Sequence, residues 1–448
     1  MKKRLLLALT ATMLTAATQA QDYGYEEPKR ITLTAEQRAL VQSNNDFAFR
    51  LFSKTRGNTS QVVSPLSITF DLGLLNNGAA GVTQQEICQT LGFGQAGADG
   101  INAFCRKMLT EMPALDEQTR VMISDAIFVN NNYVLLPEFV QKAHTYYDAT
   151  TETRDFNDFA TIDVINQWAN DHTMGMIPKV LDVDSYNSGA ASYLLNAVYF
   201  KGIWTLKFNK DETRDESFNG GELVPMMHLR NQLPYAEDEL CQMLALPYGS
   251  GAYRMTVLLP REGKTVDDVL GTLDGKQWGY YQWLSVEEVD VKLPRMDVTT
   301  HVNLVETMKA LGMPSAFSDT TADIPYFCNA PVYISNMFQS AKIKMDEEGT
   351  EAAAVTVIEA TEKSSIGEPM VYEFHANRPF LYIISEQSTG VILFIGQYLG
   401  EDAVGTEPSA VQAPVARQEA PQYYDLTGRR LARKPAKGLY IENGRIRF

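Results

Sequence analysis

The apolar positions of this chain change period along its length. Leu40, Phe47, Phe49, Leu51 and Phe52 are spaced for a buried helix. Ile87, Leu91 and Phe93 predict a second, closing at Gly92-Phe93-Gly94, where glycine lets the backbone leave the helix. Farther on the period shortens. Met255-Thr256-Val257-Leu258-Leu259 before Pro260 and Val289-Asp290-Val291-Lys292-Leu293 before Pro294 read as strands, the second with alternating faces. Helical periodicity early and strand periodicity later predict an α+β fold with substantial sheet.

The same pattern divides the chain. Lys2, Lys3 and Arg4 precede an apolar run from Leu5 to Leu14 and a small-residue stretch ending Thr18-Gln19-Ala20, which reads as a cleavable secretory signal peptide, residues 1–20. The run is roughly half of the ~20 residues a spanning helix needs, and no cysteine follows it to carry a lipid. No later stretch approaches the length of a membrane helix. A secreted, extracellular or cell-surface protein is expected, with the periplasm as an alternative. Residues 21–33 form an N-terminal extension, and 34–400 have the even composition of one large domain, without internal repeat. Residues 401–421, rich in Ala, Pro, Glu and Val without periodicity, read as a linker. In the tail, 422–448, apolar and polar residues alternate around Thr427-Gly428 and Asn443-Gly444, the pattern of a small β-hairpin.

Composition removes several functions. The formal charge is −16, and loss of residues 1–20 takes away three positive charges, giving about −19. Phosphate binding needs clustered Lys and Arg, so no nucleic-acid partner is expected. No G-x-S-x-G, H-E-x-x-H, G-x-x-x-x-G-K-[ST] or EF-hand pattern occurs. The histidines His144, His172, His228, His301 and His375 are scattered without metal-ligand spacing, so no catalytic residue, cofactor or metal is assigned. The four cysteines, Cys88, Cys105, Cys241 and Cys328, are compatible with two disulfides in any of three pairings, or with buried free thiols.

Phrases in fixed order carry a positive signal. Val63-Ser64-Pro65-Leu66-Ser67-Ile68 is followed by Gly78-Ala79-Ala80-Gly81-Val82-Thr83, then by Ile165-Asn166-Gln167-Trp168-Ala169-Asn170. Leu195-Asn196-Ala197-Val198-Tyr199-Phe200-Lys201-Gly202-Ile203-Trp204 comes next, and Leu293-Pro294-Arg295-Met296 after it. Glu347-Glu348-Gly349-Thr350-Glu351-Ala352-Ala353-Ala354 and Phe374-His375-Ala376-Asn377-Arg378-Pro379-Phe380 complete the series. Together they resemble the serpin family of serine protease inhibitors over roughly residues 36–400. The resemblance implies about nine helices, three β-sheets and an exposed reactive-centre loop. It also implies a monomer whose partner is a target serine protease, held as a covalent acyl complex. The tail phrases Asp425-Leu426-Thr427-Gly428-Arg429 and Lys437-Gly438-Leu439-Tyr440-Ile441 resemble the C-terminal sorting-type tails of Bacteroidetes exported proteins, which implies export or surface attachment.

The loop after Gly349 has chemistry of its own. Thr350, Ala352, Ala354, Thr356, Ile358 and Ala360 are uncharged and mostly small, whereas the other alternate set holds Glu351 and Glu359. Such a segment can enter a sheet as a strand with one face buried, and no proline in 350–363 costs it a ladder bond. Glu347 to Ala354 are the hinge of this loop. The family's spacing from Gly349 puts the scissile bond at Lys363-Ser364, suited to a trypsin-like pocket. The segment from Ser364 to Asn377 is longer than in many serpins, so cleavage after Ser364 or Ser365, favouring an elastase-like enzyme, stays open. The family's central gate falls on Ser64, Ser67, Asn196 and Gln339. Many members carry histidine at the last position; a glutamine amide can bridge there but does not titrate. A single-use inhibitor is expected, a non-inhibitory serpin acting as a binding or surface protein is the alternative, and an enzyme ranks behind both.

Overall fold

The computed structural model describes residues 28–94, 96–350 and 370–400, and in the tail the strand residues 423–424, 430–431, 440–442 and 445–447. The chain divides into two units, Met1–Glu401 and Asp402–Phe448.

The first unit opens on α1 (Ala35–Thr55), fixed by a reciprocal cap. Thr34 Oγ1 accepts from the Gln37 amide, and Gln37 Oε1 accepts from the Thr34 amide. Strand β1 (Gln61–Val63) leads into α2 (Pro65–Asn76), which starts where Pro65 presets the backbone and Ser64 caps the Ser67 amide. Every residue of α2 except Asp71 is buried, so this helix lies inside the molecule. Next come α3 (Gly81–Thr90), α4 (Gly97–Glu111), β2 (Thr119–Asn130), α5 (Pro137–Tyr147), β3 (Thr150–Arg154), α6 (Ala160–His172) and β4 (Ser192–Ile203). Helix α3 ends at the predicted glycine, with Gly92 at φ +76°.

Strands dominate thereafter. β5 (Arg214–Ser217), β6 (Leu223–Glu237), β7 (Cys241–Tyr248) and β8 (Tyr253–Pro260) precede the short helices α7 (Val266–Leu270) and α8 (Gly275–Tyr280). Then follow β9 (Ser285–Pro294), β10 (Met296–Asn303), α9 (Val305–Ala310), β11 (Phe338–Asp346), β12 (Gly349–Thr350), β13 (Val371–His375), β14 (Phe380–Glu386) and β15 (Ile392–Tyr398). Nine helices occur among the described residues, the number expected. In β9, Val289, Val291 and Leu293 are buried while Asp290 and Lys292 are half-exposed, as the alternation predicted. β8, β14 and β15 are buried on both faces, so apolar residues dominate them without the alternation of β9.

The strands of this unit make two sheets. One is nine-stranded, in the order β1-β15-β14-β8-β7-β6-β9-β13, with β5 beside β6. Three sheets were expected. The long strand β6 pairs with β9 over Met226–Tyr235 and with β7 at Tyr235–Glu237, so its two ends belong to one continuous ladder. The other sheet is six-stranded, β10-β11-β12-β4-β2-β3. In the second unit, β16 (Tyr423–Tyr424), β17 (Arg430–Leu431), β18 (Tyr440–Glu442) and β19 (Arg445–Arg447) form a separate sheet in the order β17-β16-β18-β19. The expected hairpin is its β18–β19 pair, flanking Asn443-Gly444, and two further short strands enlarge it.

All four cysteines are free thiols in the interior, which resolves the choice between disulfides and buried thiols. Each lies among apolar neighbours, and burial pushes the Cys241 thiol up to about 12.

Candidate functional site

The six-stranded sheet brings together the described residues of the expected hinge and of the expected gate. β11 ends at Asp346, the chain turns, and Gly349-Thr350 comes back as β12 between β11 and β4. Gly349 faces Ile203 and Thr350 faces Gly202 on one side, and Asp346 and Met345 on the other. Only glycine fits at 349. Its φ is +146°, and a Cβ there would lie 2.1 Å from the Gly202 carbonyl oxygen. The hinge therefore begins inside the sheet.

The turn before it is anchored. Glu347 is 1% exposed, and its Oε1 accepts from Arg295 Nε (2.9 Å) and Nη2 (2.6 Å) and from Thr213 Oγ1 (2.5 Å). Burial alone would raise this carboxyl, but the Arg295 and Thr213 hydrogen bonds outweigh it and hold the group below its ordinary range. Glu348 is likewise held low by Lys207 at 2.7 Å, with Lys210 at 3.2 Å. The backbone is tied as well: Trp204 N donates to Glu348 O (2.8 Å), Phe208 N to Glu347 O (3.0 Å) and Trp204 Nε1 to Asp346 O (2.9 Å). Thr350 is fully buried, and its hydroxyl shares a 2.7 Å hydrogen bond with Tyr248, whose ring stacks on Trp204 at 4.3 Å. Thr350 is the first of the uncharged alternating set, and it faces inward as that alternation requires.

The four gate residues meet at the N-terminus of α2. Gln339, on β11, accepts from Ser64 N (3.0 Å) and donates to Ser64 O (2.8 Å), so its amide clasps both backbone polar groups of one residue. Ser64 Oγ donates to Leu393 O (2.8 Å). Ser67, one turn on, hydrogen-bonds Asn196 of β4. The start of α2 thus joins β11 to β4 from beneath, although the two strands are separated within the sheet by β12.

That separation leaves a groove. Below β12 no ladder between β4 and β11 occurs among the described residues, and a cavity of about 220 Å³ lies there, bordered by Leu194 and Asn196, by Phe338 and Ser340, and by Asp71 of α2. The lost neighbour shows in β4 itself. Its residues Ser192 to Asn196 are half-exposed on both faces, where a filled sheet would bury alternate ones.

Sequence reasoning missed several residues here. Tyr248 and Thr213 carried no signal, because one hydroxyl in a loop or strand is unremarked until its partner is known. Asp125 and Asp71 did carry one. Val121, Ile123, Asp125, Ile127 and Val129 form the inward row of β2, and Asp71 is the one charge between Pro65 and Asn76, so each breaks an apolar pattern. Asn196 Nδ2 donates to Asp125 Oδ1 at 2.9 Å. The hinge residues Glu351, Ala352, Ala353 and Ala354 and the expected reactive bond Lys363-Ser364 lie outside the described residues.

Comparison with known proteins places this arrangement. The family described as Serpin (serine protease inhibitor) matches residues 42–400. Serpin B6 of Bos taurus is 32% identical over 376 residues, covering 80% of this chain and 99% of that protein. Neuroserpin of Homo sapiens is 26% identical over 380 residues, covering 81% and 92%. Among solved structures, the thermophilic serpin tengpin in its native state superimposes with a TM-score of 0.75 at 26% identity, covering 83% of this chain and 96% of that one. Thyroxine-binding globulin in complex with thyroxine gives 0.72 at 25%, covering 81% and 100%.

Proposed function

This chain belongs to the serpin family, and we propose that it is an inhibitory member that traps a serine protease by cleavage of its loop and insertion of the cut strand into the six-stranded sheet. The register of β12 carries this reading. β12 runs antiparallel to β4, with Thr350 opposite Gly202. Continued one residue at a time, that pairing sets residue 360 opposite Ser192, the first residue of β4. The uncharged alternation from Thr350 to Ala360 has the same extent, so the segment built to enter a sheet and the gap waiting to receive it agree in length.

The chemistry follows from the sequence of events. The protease serine attacks the Lys363 carbonyl, an ester forms, and the bond to Ser364 breaks to release a new amino terminus. The Lys363 ammonium fits a pocket with a carboxylate at its base, hence a trypsin-like enzyme. The freed strand then enters the groove and carries the ester-linked enzyme with it. About 10 new backbone hydrogen bonds at a net ~0.5–1.5 kcal/mol each, with apolar burial added, release on the order of 10 kcal/mol. Displacing one oxyanion-hole donor slows ester hydrolysis by ~10²–10³, which is enough to trap the enzyme. The inhibitor supplies no catalytic group, acts as a monomer, and works outside the cytoplasm after removal of residues 1–20.

Incubation with trypsin tests this. A complex that survives boiling in detergent is expected, together with a released fragment whose mass places its first residue at Ser364. Thr350→Arg, which forces a guanidinium against Tyr248, should convert the inhibitor into an ordinary cleaved substrate. Cleavage of the unaltered protein without a stable complex would favour a non-inhibitory binding protein instead.

A further inference from the structure

Asp125 and Asp71 lie at the level of the gate, and nothing in the trapping chemistry uses them. Asp125 is 2% exposed in the apolar inward row of β2; Asn196 serves its Oδ1, and its Oδ2 has no hydrogen-bond partner. Asp71, on the buried helix α2, borders the groove, and its Oδ1 has none either. The titratable groups facing Asp125 are Asp71 from α2, Cys105 from α4, and Tyr147 and Asp148 from the end of α5. None is a cation. Asp148 is in turn paired with Arg106 at 2.9 Å. Burial pushes Asp125 up to about 7, the Asn196 amide opposes the shift and Asp148 adds to it; burial and the Asp125 charge push Asp71 well up.

Position gives these groups leverage. To admit a strand, β4 must move away from β11, and β2 and β3 move with it over α2. Asp125 rides on the moving part through Asn196, the same side chain that Ser67 of α2 holds. Asp71 stays on the helix. We propose that Asp125 and Asp71 form a proton-controlled latch beneath the gate: neutral, they let β2–β4 rest on α2; ionised, they repel across that contact and ease the opening of the groove. Insertion is therefore slow in acid and fast in mildly alkaline solution, although Gln339 itself does not titrate.

The sign is fixed by linkage. The folded protein holds a proton on Asp125 that the unfolded chain gives up near pH 4, so stability falls as pH rises between about 4 and 7, then levels off. The experiment uses the intact, uncleaved chain and a synthetic peptide of residues 350–361, whose two glutamates titrate below this window. Peptide incorporation, followed on native gels, should be about tenfold slower at pH 6 than at pH 8, the effect of one linked pH unit. The melting temperature should be about 2–4 °C higher at pH 6. Asp125→Asn and, separately, Asp71→Asn should flatten both profiles; His301, the histidine of this sheet, is exposed and untouched by either change. The unaltered protein should also show a protonated-carboxyl infrared band at pH 6 that is lost by pH 8.5. A flat profile in the unaltered protein, an unchanged slope in Asp125→Asn, or no such band would overturn the latch. The latch rests on the groove as an insertion path but not on a protease: peptide uptake with this pH dependence and no trypsin complex would leave it standing while inhibition fails.

Discussion

Glu347 anchors the turn between β11 and β12. A carboxylate 1% exposed is stable only because Arg295 and Thr213 serve it together. Arg295→Ala strands that charge with one hydroxyl, and the expected loss at pH 7 is about 1–3 kcal/mol, read from urea unfolding. The direction with pH is also set. Glu347 is held below its ordinary range, so the pair contributes fully above about pH 4.5 and is lost as the carboxylate protonates in stronger acid. The penalty of Arg295→Ala should fade there. At this scale the sequence was partly legible. Glu347, Glu348 and Gly349 stand out as a phrase, but the partners that explain them lie 52 and 134 residues away, and spacing carries no information about contacts so remote.

For single elements, legibility follows periodicity. α1, β8 and β9 obey their apolar patterns because each packs against a constant neighbour. β4 does not, since on one edge it pairs only with β12, and the rest of that edge has no partner among the described residues. An unbroken strand phrase cannot announce a missing neighbour. The gate is similarly divided: its four residues were legible by resemblance, whereas the two-sided clasp of Gln339 on Ser64 required the structure. Gln339→His tests the clasp. A neutral imidazole serves one of the two Ser64 backbone groups, and protonation removes an acceptor for Ser64 N inside a buried site. Burial depresses the imidazole below its usual ~6.5, so the variant should lose stability as pH falls below about 6. Melting curves between pH 5 and 8 would show it, as a loss of stability in acid relative to the unaltered protein that offsets the opposite slope set by Asp125.

At the scale of the molecule, the described residues leave a strand position unfilled between β4 and β11 below β12. In the proposed trapping mechanism, filling it releases on the order of 10 kcal/mol, and the unfilled state persists by a barrier. A protease that nicks the loop and departs should leave a product melting on the order of 15–20 °C higher. Calorimetry before and after nicking measures this, and an unchanged transition would remove the energetic basis of the trap. The fold class was legible because helices and strands each bury long patterned segments. The emptiness was not, for it is a property of what the sheet lacks.

The four interior thiols bear on that barrier. Cys88 on α3, Cys105 on α4, Cys241 on β7 and Cys328 beyond α9 are all unpaired, so no covalent staple spans the parts that slide. Reductant therefore has no disulfide of this protein to break. In the proposed mechanism, assembly waits on no oxidase and the rate of loop insertion should be the same with or without reductant, so such an inhibitor would keep working in a strongly reducing habitat where a disulfide-braced one would come undone.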